Sequence, residues 1–97
     1  MDFNLIISPR AQKEIENAAE FYFEINSNLG LKFFQQLESS YEVIVNNPFY
    51  QKRYKDFKAF SIKKFPFLLF FIIDDEKNTI RILSCFHTSR DSIKHPK

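Results

Sequence analysis

The residues best suited to chemistry stand together near the end of the chain, in His87-Thr88-Ser89-Arg90-Asp91. They directly follow Thr79–Phe86, a run rich in β-branched and apolar residues that reads as a strand. Titratable and charged groups gathered at a strand end are where a site is sought. A histidine can carry a proton to or from a reacting oxygen, and an arginine three residues on can hold the charge of a phosphoryl group. Such a pair suits cleavage of an RNA backbone. The plainer reading has His87 bonded to a neighbouring carbonyl and Arg90 paired with Asp91, and spacing alone favours it.

A second set is broader. Lys52, Arg53, Lys55, Lys58, Lys63, Lys64, Arg81 and Arg90 all fall in the C-terminal half, interleaved with Tyr50, Tyr54 and Phe57, while most acids lie in the N-terminal half. Basic and aromatic groups together can hold phosphates and stack bases. The same residues also suit a solvated sheet edge, where lysines block the addition of another strand.

Other chemistry finds little support. His87 and His95 are too far apart for a metal pair and Cys85 stands alone, so no metal or cofactor is expected. A single glycine, Gly30, leaves no phosphate-cradling loop. With one cysteine there is no internal disulfide, and Cys85 lies in an apolar run, where a buried inert thiol is expected. The charge of +2, from 14 basic and 12 acidic residues, falls short of the usual mark of a nucleic-acid binder. The first residues show no basic and apolar leader. The apolar run 65–73 is far shorter than the roughly 20 residues that a membrane helix needs. A soluble, cytoplasmic, reducing setting is the expectation.

The elements that must position these groups are organised around Phe65-Pro66-Phe67-Leu68-Leu69-Phe70-Phe71-Ile72-Ile73. Every position is apolar, so a strand here must be covered on both faces. Five polar residues, Asp74 to Asn78, separate it from the run 79–86, and the two read as a hairpin. Before it, Ala59–Lys64 alternates, with Phe60 and Ile62 on one face, and the segment 48–58 has room for a short edge strand. At the N-terminus Phe3, Leu5 and Ile7 share one face of a first strand. Ser8 then caps a helix and Pro9 occupies its first position.

That helix is expected over 9–26, with Ala11, Ile15, Ala18, Tyr22 and Ile25, widened by Ala19, as its apolar stripe and Glu14 among the solvent-facing residues. A second helix is expected over 29–46, with the stripe Phe34, Leu37, Tyr41, Ile44 and Val45, supplemented by Leu31. Asn47-Pro48 ends it. The order β-α-α-β-β-β gives an α+β fold, one domain over 1–97, with an antiparallel helical hairpin packed on one face of a small, mostly antiparallel sheet.

Taken together, the Ser8-Pro9-Arg10-Ala11 opening, the Asn47-Pro48 helix exit, the Phe65-Pro66-Phe67 step into an apolar strand and the His87-Thr88-Ser89-Arg90-Asp91 ending resemble the RelE/ParE toxins of type II toxin–antitoxin systems. The similarity runs from about Phe3 to Asp91. It implies a growth-inhibiting toxin, of the kind that serves plasmid stabilisation, neutralised by a cognate antitoxin whose C-terminal segment wraps around it; a heterotetramer is one assembly it allows.

RelE-like relatives cleave messenger RNA on the ribosome, and ParE-like relatives act on DNA gyrase. RelE-like toxins carry an arginine where Leu68 stands, and no tyrosine follows Arg90 here. The ParE-like branch, with gyrase as target, is therefore favoured. On that reading Lys52, Arg53, Lys55, Arg81 and Arg90 are the target-binding candidates. The alternative is a ribosome-dependent endoribonuclease in which His87, Arg90, Lys63 and Lys64 are catalytic. A third reading is a non-toxic relative that only binds its antitoxin. Two amphipathic helices and a phenylalanine-rich sheet also leave apolar surface for an amphipathic helix or strand of an acidic antitoxin.

Overall fold

The computed structural model describes residues 3–50, 52–54 and 57–88. The elements are β1 (Asn4–Ile7), α1 (Pro9–Ile25), α2 (Ser27–Asn46), a 3₁₀ turn (Pro48–Tyr50), β2 (Lys52–Tyr54), β3 (Phe57–Ser61), β4 (Phe67–Asp74) and β5 (Thr79–His87). This is the expected α+β order, with the short edge strand realised as β2. The sheet runs β1-β5-β4-β3-β2. β1 lies parallel to β5, and the remaining pairs are antiparallel.

Local signals set the helix ends. The Ser8 side chain accepts from the Ala11 N–H at 3.1 Å and so satisfies one of the orphan donors of α1. Asn26 serves both helices. Its extended backbone ends α1, while its side chain accepts from the N–H groups of Asn28 and Leu29 to open α2. One residue therefore makes the whole break, and α2 begins two residues earlier than expected.

The helices cover one face of the sheet. Ala11, Ile15, Ala18, Ala19 and Tyr22 of α1 pack with Phe33, Leu37 and Ile44 of α2 on Ile62, Phe67, Leu69, Phe71, Ile80, Ile82 and Cys85. On the opposite face Ala59, Phe70 and Phe86 form a second buried cluster, flanked by Phe57 and Leu68. This division explains the unbroken apolar run of β4. Phe67, Leu69 and Phe71 point to the helices while Leu68 and Phe70 point away.

Two expectations are corrected. Ile25 is 60% exposed and lies outside the α1 stripe. Leu37, Tyr41, Ile44 and Val45 of the α2 stripe pack in or against the core as expected, but its N-terminal part is turned by about one residue. Gly30, Phe33, Leu37, Ser40 and Ile44 face inward, whereas Leu31 and Phe34 are exposed. The inward positions keep helical spacing, but two of the five carry no apolar side chain, so counting apolar residues slides the stripe toward Phe34. Gly30 lies under the Phe23 ring, with no room for a Cβ. Ser40 satisfies its hydroxyl by donating to the Gln36 carbonyl at 2.7 Å.

The register of β4 and β5 slips once. Phe70 pairs with Ser84 and Phe71 with Ile82, so Leu83 is the extra residue of a bulge. Ser8 uses it, for its hydroxyl donates to the Leu83 carbonyl at 3.1 Å while its N–H donates to the Ile82 carbonyl at 2.9 Å.

Candidate functional site

The end of the sheet that carries His87 is built by the link between β3 and β4. The Phe65 N–H donates to the Ile62 carbonyl, closing a turn with Lys63 and Lys64 at its centre. Lys64 has a φ of 72°, the left-handed region where Gly or Asn is usual. The Pro66 carbonyl then accepts from the Thr88 N–H at 2.9 Å and the Thr88 hydroxyl at 3.3 Å. Those bonds tie the lysine turn to the end of β5.

His87 pairs in register with Phe67, and their rings meet edge to face at 4.9 Å. The structure thus brings His87, Lys63 and Lys64 to the same end of the sheet, from segments more than twenty residues apart in sequence. Both lysines are exposed and His87 is half-buried. Such an edge, with two ammonium groups and one imidazole, can attract an anion and offers one group for proton transfer. Arg90, the intended phosphoryl partner, lies outside the described residues, as do Ser89 and Asp91.

The target-binding candidates are dispersed. Arg81 is exposed in β5, paired with Ile6 of β1 and Ile72 of β4. Lys52 and Arg53 stand on the edge strand β2, in register with Ala59 and Lys58. Three inter-strand steps separate β5 from β2, about 14 Å at the usual spacing. Lys55 lies outside the described residues. Lys58 donates to the Phe49 carbonyl at 3.3 Å and holds the turn before β2 in place. Leu68 packs against the second apolar cluster, so the position where the resemblance to RelE-like toxins leads one to look for an arginine carries a hydrocarbon side chain.

Sequence reasoning missed a polar clamp between α1 and β5. β1 stops at Ile7, so on that side the next stretch of β5 has no strand to accept from its N–H groups. Glu14, expected on the solvent face, turns inward instead. Its Oε1 accepts from both the Ser84 hydroxyl and the Cys85 N–H, each at 2.9 Å. Its Oε2 meets Arg10 Nε at 3.3 Å, and because Arg10 is 72% exposed that ion pair adds little. Glu14 lies three residues after buried Ala11 and four before buried Ala18, at the border of the inward stripe, where its charge led to the solvent-facing reading.

Cys85 is buried beside this carboxylate. Burial first, and then the Glu14 charge, push its thiol up to about 12. The thiolate is the nucleophile, so a thiol held this high is inert at neutral pH. Nearby, burial first and then Cys85 and Glu38 raise the Tyr41 phenol well above its ordinary range. The Tyr41 hydroxyl is buried with no hydrogen-bond partner among the described residues.

A missed concavity lies alongside. Leu29, Lys32, Gln35 and Gln36 of α2 face Lys64 and Phe65 of the β3–β4 link across a cleft of about 310 Å³. A second recess, of about 320 Å³, continues it past Leu29 and Lys32 to Ile25. Among the described residues no group of three or more His, Cys, Asp or Glu side chains could hold a metal ion, and no helix is long and apolar enough to cross a membrane.

The sequence model of the ParE toxin of type II toxin–antitoxin systems, parDE, matches residues 5–92. A sequence search among curated proteins finds no significant match. Among solved structures, a chain of the chromosomal ParDE toxin–antitoxin system from P. aeruginosa superposes with a TM-score of 0.72. The alignment covers 88% of this chain and 95% of that one at 16% identity, so it speaks to the fold alone.

Proposed function

The chain belongs to the ParE toxin family of type II toxin–antitoxin systems, and from that premise we propose that it inhibits DNA gyrase by binding and is neutralised by a cognate antitoxin. The observation that carries this reading is Leu68. The resemblance to RelE-like nucleases places an arginine at this position, and here an apolar side chain packs against Ala59, Phe70 and Phe86. An arginine at this place would have to leave that cluster to meet a phosphate. A target bound over a protein surface makes no such demand, and dispersed cations such as Arg81 and those of β2 suit contacts spread across several strands. The test is a supercoiling assay with purified gyrase. Inhibition by the chain at micromolar concentration is expected, relieved by the antitoxin. Unchanged supercoiling would reject gyrase as the target.

A second reading has one observation in its favour, the placement of His87, Lys63 and Lys64 at a single sheet end. On that reading the chain cleaves messenger RNA on the ribosome. Replacing His87 and Arg90 together by Ala then abolishes cleavage in a translation extract. Growth arrest that survives the double substitution argues for the binding toxin. Normal growth of cells expressing the unmodified chain alone would argue for a relative that only binds its antitoxin.

A further inference from the structure

We propose that the cleft between α2 and the β3–β4 link is a docking site for an acidic, partly apolar peptide segment, and that Lys32 and Lys64 receive its carboxylates. The inference rests on the antitoxin reading above and assigns a place to one part of that partner. Four observations carry it. The cleft walls present two ammonium groups, Lys32 and Lys64, and two amides, Gln35 and Gln36, with no acidic residue among its lining. Ammonium and amide N–H groups are donors that suit a carboxylate.

The floor is apolar, formed by Leu29 and Phe65, and it runs on into the recess reached by Ile25. From Leu29 to Gln36 along α2 is about 10 Å, the reach of roughly three extended residues or two helical turns. A segment of that length can set an aliphatic side chain in the recess and a carboxylate between the lysines.

The charge around the cleft then selects the occupant. The two helices carry three basic residues, Arg10, Lys13 and Lys32, against six acidic ones, Glu14, Glu16, Glu20, Glu24, Glu38 and Glu42. An acidic partner is repelled from most of the hairpin, and this cleft, with Lys32 and the facing Lys64, is where it can approach.

The fourth observation is the backbone of Lys64. A non-glycine residue at φ 72° is strained, and the turn spends that strain placing an ammonium group over the cleft. Asn would hold the same turn with less strain and no charge, which also supplies a clean variant.

The test uses the full chain and a fluorescent synthetic peptide alternating leucine and glutamate. Binding is followed by anisotropy against the same peptide with glutamine for glutamate. The acidic peptide is expected to bind and the neutral one to bind about tenfold more weakly. The pair Lys32→Gln with Lys64→Asn should lose a similar factor, while Lys77→Gln, an exposed lysine of the β4–β5 turn, should lose nothing. Thermal melts of the variants verify that each is folded.

Three results would overturn the proposal: no binding of the acidic peptide, equal binding to the double variant, or a single-stranded oligonucleotide that displaces the peptide and depends on the same two lysines. The last would make the cleft a phosphate groove. Growth arrest by the chain expressed alone is scored separately. Its absence would reject the toxin reading and leave the peptide titration to decide the cleft.

Discussion

Gly30→Ala provides a sharp test of the packing argument, because two principles predict opposite signs. In an isolated helix alanine is better than glycine by about 1 kcal/mol. Gly30 sits inside α2 with negative φ, so nothing in its backbone demands glycine. By propensity alone the substitution should stabilise. However, a Cβ there falls on the Phe23 ring, inside contact distance of its Cγ and both Cδ atoms.

Phe23 is 38% exposed, so it can yield by swinging outward. A phenylalanine offers about 200 Å² of surface, so losing its remaining burial costs at most about 3 kcal/mol at 25 cal/mol per Å². Subtracting the helix gain leaves a net loss of about 1–2 kcal/mol, a fall in Tm of roughly 5–15 °C for a domain of this size. Phe23→Ala removes the obstacle. In that background Gly30→Ala should raise Tm by roughly 4–8 °C, the helix gain alone. The sign reversal across this double-mutant cycle, read by thermal or urea unfolding, is the prediction. A rise in Tm for Gly30→Ala with Phe23 present would refute the close approach of the two helices.

Other expectations follow from the clamp and the core. Glu14→Ala should cost about 1–3 kcal/mol in urea unfolding, because it leaves the Cys85 N–H without its acceptor, whereas Glu14→Gln keeps an acceptor and should cost less; equal losses would deny the clamp. Stability should fall as pH rises from about 9 toward about 12, since the folded state holds the Cys85 proton longer than the unfolded chain does, and Cys85→Ala should flatten the melting curve over that range. Tyr41 adds to the fall above pH 10, its phenol being raised in the same direction. Tyr41→Phe should leave Tm unchanged or raise it, as it deletes a buried hydroxyl that has no partner among the described residues; a large drop would reveal one.

Much of the candidate site's scaffold could be read in one dimension. Ser8-Pro9 marked the start of α1, and the Ser8 side chain caps it as expected. Phe60 and Ile62 share the helix-facing side, as their alternation indicated. The two runs about Asp74–Asn78 pair as a hairpin, bringing His87 beside Phe67. The cleft of Lys32 and Lys64 could not be read so, because its walls come from a helix and a turn whose sequence separation says nothing of their distance. Nor could the cations be grouped. Arg81 and Lys52 look alike in composition, yet strand order sets them on opposite sides of the sheet's centre.

What the chain's order of residues determined by itself was the identity of its elements. Periodicity follows from how a residue's own side chain partitions between water and a core, and that preference is local. β4 was legible as a central strand because both of its faces are apolar, and α1 because Ala11, Ile15, Ala18 and Tyr22 repeat at helical spacing. Only the tertiary structure decided which side of the N-terminal part of α2 faces inward, where β5 bulges and why Glu14 is turned in. Gly30 and Ser40 are buried by the closeness of a neighbour, with little transfer energy of their own to announce it. Glu14 is held by hydrogen-bond donors 70 and 71 positions away, on a strand that its own segment cannot anticipate.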